Sequence, residues 1–184
     1  MPIVVTGLTK SFGGKRVLDG FSHTFPDNSL TALMGPSGVG KTTLFRILLG
    51  LEQADSGTVS GMEGKTVSAV FQEDRLFPGL TILQNAEVAG TGGETWLERL
   101  GLGGELHARP DTLSGGMRRR VALARALCRD GDVFLMDEPF QGLDETRKRE
   151  TMEIFRELKE RKTILLITHD PEEASFLADR VVTL

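Results

Sequence analysis

The stretch Gly35-Pro36-Ser37-Gly38-Val39-Gly40-Lys41-Thr42-Thr43 decides the reading of this chain. It carries the spacing Gly-x-x-x-x-Gly-Lys-Ser/Thr, and its flanks suit a phosphate-binding loop. The apolar run Leu30–Met34 before it reads as a buried strand. After it, Leu44, Ile47, Leu48 and Leu51 recur at helical spacing from Lys41 onward. Phosphate oxygens need several N–H donors converging on one point. A glycine-rich turn supplies them with no side chains in the way, and the helix that follows adds the positive end of its dipole. In this pattern Lys41 bridges β- and γ-phosphates and Thr42 offers a hydroxyl to Mg²⁺. The alternative, a glycine-rich turn that matches by accident, does not explain the strand before and the helix after.

Working outward, Ile3–Thr6 and Val17–Phe25 read as strands separated by the Gly13-Gly14 turn, and Val67–Phe71 as another strand. From Pro78 to Arg129 the pattern changes. Ile82–Val88 and Thr95–Leu100 read as short helices with glycine-rich joints. A longer helix runs from Gly115 to Arg129 with Val121, Ala124 and Cys128 on one face and Leu123 and Leu127 beside them. Strands then resume. Val133–Met136 ends at the acidic pair Asp137-Glu138, a helix spans 145–161 with Phe155 and Leu158 inward, and Thr163–Thr168 is a continuous β-branched and leucine run typical of a buried parallel strand. A short helix at Pro171–Ala178 and a strand at Arg180–Leu184 follow. This alternation predicts an α/β fold on a parallel sheet. The expected organisation is one domain over 1–184, with residues 1–77 and 130–184 forming the core and 78–129 a small helical lobe.

Composition narrows the function classes. The 184 residues carry 22 Lys and Arg against 26 Asp and Glu, a formal charge of −4 that argues against bulk nucleic-acid binding. At 39% hydrophobic and 26% charged residues the chain has a globular balance, and the single Cys128 excludes an internal disulfide and suits a reducing compartment. No apolar run reaches the roughly 20 residues needed to span a bilayer. Met1–Lys10 lacks the charged-then-apolar design of a signal peptide. The expectation is a soluble protein. The 22 glycines cluster between the patterned segments rather than in one linker, which predicts several loops of special backbone geometry.

Asp137, at the C-terminal end of a buried strand, lies where ligands bind in open α/β sheets and would orient a water on Mg²⁺. Glu138 would polarise the attacking water. Taken alone, the pair also reads as helix-initiating acids before Pro139. Beside a phosphate loop, the chemical reading gains.

The phosphate loop, Gln72 in Val70-Phe-Gln-Glu73, Leu113-Ser-Gly-Gly-Met117, Asp137-Glu138-Pro139, Gly142-Leu-Asp144 and His169 follow one another in the order of an ABC transporter ATPase subunit. The resemblance covers Val4 to Leu184. It implies a P-loop NTPase core with a mainly parallel sheet, an N-terminal antiparallel β part and an inserted helical lobe, and Mg²⁺-dependent hydrolysis of ATP. By resemblance, Gly35, Pro36, Ser37, Gly38, Val39, Gly40, Lys41, Thr42 and Thr43 hold the phosphates. Thr42, Gln72 and Asp137 serve the metal, and Lys41, Gln72, Glu138 and His169 are the catalytic group. Phe12 resembles the aromatic that stacks on adenine; an ordinary strand residue is the competing reading.

Ser114, Gly115, Gly116 and Met117 form a second anion site at a helix start, with Ser114 a good N-cap type. In the resembled family this start faces the γ-phosphate of the opposite subunit, and Asp144 looks like the aspartate that crosses the interface. The implied assembly is a homodimer, or a pair of ATPase subunits, with two ATP molecules between them. It would work with a separate membrane permease and an extracytoplasmic solute-binding protein, and with no nucleic acid. The implied location is cytoplasmic, on the inner face of the cell membrane through the permease. Met117 and Phe71-Gln-Glu-Asp-Arg75-Leu-Phe-Pro78 resemble the nitrate, sulfonate and taurine importer subgroup in particular. For Arg119 and Arg120 two readings stand, a positive field beside the anion site or a solvated basic face. Phe77, Pro78 and Leu80 read either as exposed apolar contacts for a partner or as core of the lobe.

Overall fold

Strands β1 (Ile3–Phe12), β2 (Lys15–Phe25) and β4 (Ser56–Ser60) form an antiparallel sheet in the order β2-β1-β4 in the computed structural model, which describes all 184 residues, Met1–Leu184. The strands β3 (Leu30–Met34), β5 (Val67–Val70), β6 (Val133–Asp137), β7 (Thr163–Ile167) and β8 (Arg180–Thr183) form a second sheet, ordered β5-β6-β7-β3-β8, with every neighbouring pair parallel. The expected antiparallel part and parallel core are therefore both present.

The helices are α1 (Lys41–Leu48), α2 (Ile82–Glu87), α3 (Gly93–Arg99), α4 (Gly115–Arg129), α5 (Glu145–Leu158) and α6 (Pro171–Leu177). All residues of β6 and β7 are buried, the apolar runs Val133–Met136 and Ile164–Ile167 as central parallel strands require, and Asp137 and Thr163 with them. One core runs without a break from Ile82 of α2 and Leu97 of α3, through Val121, Leu123 and Leu127 of α4, to Phe134, Met136 and Phe155. A second lies between the two sheets, where Ile3, Val5, Leu8 and Phe25 meet Leu33, Leu44, Leu135 and Leu165. Each such fully buried apolar side chain contributes about 1.5–3 kcal/mol.

Several boundaries differ from the sequence reading. The helix after the phosphate loop stops at Leu48, and Leu51 is exposed rather than part of its apolar face. Gly50, at φ 69°, takes the left-handed turn that ends the helix, and its N–H donates to the Ile47 carbonyl. The helix expected over 145–161 ends at Leu158, where the Lys162 N–H turns back to the Leu158 carbonyl. The expected first strand is longer, Ile3–Phe12, and β4 has no forerunner in the pattern. Its residues Ser-Gly-Thr-Val-Ser show no apolar alternation. They become a strand because β1 offers a paired edge, with Val5 opposite Val59.

The strand order places the site. β6, β7 and β3 are adjacent and parallel, with Met136 opposite Leu166 and Leu33 opposite Ile167. Their C-terminal ends therefore emerge together. From these ends leave the Gly35–Gly40 loop, the Asp137-Glu138 turn and the segment carrying His169, while β5 delivers Gln72 beside β6.

Candidate functional site

The loop from Gly35 to Gly40 turns through left-handed backbone at Gly38 and Gly40 and leads into α1. Gly40 has no substitute. Its φ is 110°, and a Cβ there would sit 2.3 Å from the Val17 carbonyl oxygen. The loop is thus pressed against β2. The Lys41 ammonium donates to the carbonyls of Gly35 at 2.7 Å and Pro36 at 2.9 Å. Those contacts fold the cation back over the loop that would hold phosphate.

Next to Lys41, the Thr42 hydroxyl donates to Asp137 Oδ2 at 2.8 Å. Asp137 is 6% exposed, and burial pushes its carboxyl above the ordinary carboxylate range, against the pull of the Thr42 hydrogen bond. Glu138 follows in left-handed backbone at φ 49°, a conformation costing about 1–3 kcal/mol for a non-glycine residue. Its carboxylate Oε2 lies 2.9 Å from His169 Nδ1. That carboxylate raises the His169 pKa above its ordinary value, through the hydrogen bond first and charge second.

The backbone on either side of His169 is fixed by a neighbouring network. The buried Thr168 hydroxyl donates to Glu173 Oε2, the Asp170 N–H donates to the Thr168 oxygen, and Lys148 of α5 pairs with both Asp170 and Glu173. Burial raises the Glu173 pKa, opposed by those two partners.

A cavity of about 340 Å³ opens between these groups, lined by Ser37, Gly38, Gly40, Lys41, Thr42, Thr43, Gln72, Asp137 and Glu138. The structure thus gathers the phosphate loop, both acids and Gln72 around one space, with His169 hydrogen-bonded to its edge. Three other expected groups lie outside it. Phe12, at the end of β1, is 47% exposed, with the Lys10 ammonium 5.0 Å from its ring centre. Ser114 caps α4, accepting from the Met117 N–H at 3.2 Å, and Gly115 faces open space. Asp144 caps α5 by accepting from the Arg147 N–H at 3.0 Å. The last two are neighbours, since a Cβ on Gly116 would lie 2.8 Å from the Gly142 carbonyl oxygen.

Two residues that the sequence reading did not place correctly hold the segment after Gln72. Arg119, read as a field source or a solvated base, is neither. It is 3% exposed and its guanidinium reaches backbone of both the Gln72 segment and the Asp137–Pro139 turn. Its position one turn before Leu123 and two turns before Ala126 on the buried face of α4 is the signal that could have found it. Arg120 turns away to the carbonyls of Leu100 and Gly101. Asn85 of α2 was not singled out. Fully buried, it accepts from the Phe77 N–H at 2.7 Å and donates to the carbonyls of Phe77, Leu80 and Thr81. This pins the loop on which Phe77 stands 49% exposed, with Pro78 also exposed and Leu80 half-buried. Phe77 and Pro78 are thus exposed and do not belong to the core of the lobe.

Residues 18–141 match the ABC transporter family. The chain belongs to that family. It is 42% identical over 183 residues to the aliphatic sulfonates import ATP-binding protein SsuB 1 of Pseudomonas savastanoi pv. phaseolicola, covering 95% of this chain and 77% of that protein. It is 43% identical over 187 residues to SsuB 2 of Streptomyces avermitilis, covering 97% and 74%. The dimeric structure of the ATP-binding cassette MJ0796 in a post-hydrolysis state with ADP and Pi superposes with a TM-score of 0.87 at 27% identity. That match covers 99% of this chain and 94% of the other. This ABC chain is accordingly an ATP-binding, ATP-hydrolysing subunit of a transporter, and the cassette fold it shares is one that forms dimers. No helix of this ABC subunit is long and apolar enough to cross a membrane.

Proposed function

We propose that this subunit powers uptake of an aliphatic sulfonate or a closely similar small organic anion through a separate permease. It would sit peripherally on the cytoplasmic face of the membrane and work with an extracytoplasmic solute-binding protein. The solute class rests on the sulfonate-import relatives at 42% and 43% identity. The hydrolytic reading is carried by one observation: the Thr42–Asp137 and Glu138–His169 pairs meet at the ends of β3, β6 and β7 around the same cavity.

The donor set fits Mg²⁺. A hydroxyl (Thr42), a carboxylate (Asp137) and an amide oxygen (Gln72) are hard ligands, and no cluster of three or more His, Cys, Asp or Glu offers an all-protein cage. Such a site suits a cation that keeps waters and takes the rest of its ligands from phosphates. Bound there, the cation supplies charge neutralisation on the phosphate oxygens, and it would also relieve the buried Asp137.

The chain's own groups do the remaining work. Lys41 exchanges its contacts with Gly35 and Pro36 for phosphate oxygens. Glu138 takes a proton from a water whose oxygen attacks the γ-phosphorus, while the bond to the β–γ bridging oxygen breaks and ADP departs. His169 orients the Glu138 carboxylate and contacts the terminal phosphate. Ser114–Met117 faces the nucleotide of a second subunit, Asp144 lies beside that interface, and Phe12 stacks on adenine. The helical stretch 78–129 serves as a lobe against the 1–77 and 130–184 core, with Phe77 and Pro78 presented to the permease.

The test uses cells whose only copy carries Glu138→Gln. Uptake of a labelled aliphatic sulfonate should stop, while the tagged variant, captured from detergent-solubilised membranes, should carry a multi-span permease with it. Undiminished sulfonate uptake would remove the solute assignment.

A further inference from the structure

We infer that Arg119 is a positioning residue for hydrolysis, one that ties the helix carrying the second anion site to the two segments that hold Gln72 and Glu138 in the same chain. The inference rests on the roles proposed above for Glu138 and Gln72.

The guanidinium sits where two pieces of main chain converge. Its Nε donates to the Pro139 carbonyl at 3.0 Å. Nη2 donates to the carbonyls of Asp137 at 2.8 Å and Glu138 at 2.6 Å. Nη1 donates to the Phe71 carbonyl, to the Gln72 carbonyl at 3.3 Å and to Asp74 Oδ1 at 3.3 Å. Three successive carbonyls, from Asp137 to Pro139, therefore face one cation. They do so across the left-handed turn at Glu138, φ 49°, which an isolated chain would not hold. The strained turn that aims the Glu138 carboxylate at His169 is thus braced from behind by Arg119.

The same side chain braces the other catalytic segment. Gln72 lines the cavity with an exposed side chain, so its position follows from its backbone, and that backbone is bonded to Arg119 on one side. Arg125, farther along α4, adds bonds to the carbonyls of Asp74 and Arg75 at 2.9 Å each. Asp74 supplies the compensating charge for the buried guanidinium.

Only a planar cation with five N–H donors spread along two edges can serve both segments at once. A lysine ammonium presents three donors at one point and would have to choose. Because Arg119 lies little more than one turn from Ser114–Met117 on α4, a shift of the helix start when the second subunit's nucleotide docks reaches Glu138 and Gln72 through this contact. One chain's outward-facing half-site is so connected to its own hydrolytic groups.

The experiment compares purified Arg119→Lys and Arg119→Gln with the parent, with Glu138→Gln, and with Asn85→Leu as a control that loses stability without touching the Arg119 acceptors. For each, ATP affinity, kcat, KM and melting temperature are measured, with kinetics taken at least about 15 °C below the transition. Both Arg119 variants should bind ATP within about threefold of the parent, since Lys41 and its loop are untouched. Their kcat should fall by about 20-fold or more, lysine recovering only part of the loss. Turnover within about threefold of the parent in either variant, or a loss no larger than that of Asn85→Leu at matched destabilisation, overturns the role of Arg119. Parent-like hydrolysis by Glu138→Gln overturns instead the reading on which it rests.

Discussion

Replacing Asn85 by leucine tests how the segment after Gln72 is held. The exchange keeps a buried side chain of similar size and removes four hydrogen bonds to the 77–81 loop. Two of the loop's groups keep other partners. The Phe77 carbonyl still accepts from the Leu80 N–H at 3.2 Å, and the Thr81 carbonyl from the Asn85 N–H at 2.8 Å. The Phe77 N–H and the Leu80 carbonyl are left with none. An orphaned buried group costs about 1–3 kcal/mol, and Phe77 is exposed enough for water to rehydrate part of the loop, so the net loss should be about 2–3 kcal/mol. For a chain of this size that lowers the melting temperature by about 5–10 °C. Turnover well below the transition should stay within about twofold, because Arg119 and Arg125 hold residues 71–75 independently of Asn85. Thermal unfolding and steady-state ATPase assays read both numbers. A shift under about 2 °C, or a collapse of turnover in the folded variant, would refute this division of the segment into two separately held parts.

Three further outcomes follow from the geometry. Gly115→Ala should leave the melting temperature unchanged, since its Cβ meets open space, whereas Gly116→Ala must push the Gly142 carbonyl from 2.8 Å and should cost about 1–3 kcal/mol; equal melting temperatures would contradict the packing of α4 on that loop. Thr42→Val should lower kcat by about 10–100-fold, the equivalent of losing one hydroxyl partner of a buried carboxylate, and Thr42→Ser should restore most of it; equal rates in both would remove the Thr42–Asp137 pair from the site. NMR titration should find the His169 pKa above its ordinary value of about 6.5, and Glu138→Gln should return it toward that value. Because the folded pKa is the higher one, the protonated His169–Glu138 pair is fully formed below the unfolded value and is lost as pH rises through the folded one. A titration at or below the ordinary value would contradict the pairing.

Much of the site was legible in the sequence because its residues sit at strand ends and helix starts, where pattern and motif coincide. The runs Leu30–Met34, Val133–Asp137 and Thr163–Ile167 are apolar apart from Thr31, Thr163 and the terminal Asp137, so their ends, and with them Lys41, Asp137 and His169, could be placed without coordinates. What stayed hidden depends on contacts between distant segments. β4 is a strand only because β1 is beside it, with Val4 opposite Ser60. Leu51 continued the helical spacing, but Gly50 turned the chain first. Arg119 looked like one of three like charges in a row. Its neighbours Arg118 and Arg120 bond to the carbonyls of Leu113 and Leu100 at the protein's surface layer, and only the helical phase of Arg119 turns it into the core. Asn85 carries no motif, and its value lies wholly in the loop it fastens.

A site completed by a second copy of the chain is tested most directly by sedimentation of Glu138→Gln. With ATP present the variant should double its mass, and without ATP it should not. Adding Ser114→Arg, at an exposed position outside the cavity, should keep ATP bound yet hold the protein monomeric. A dimer that ignores ATP, or one that still forms with Arg in place of Ser114, would contradict an ATP-bridged pair of half-sites.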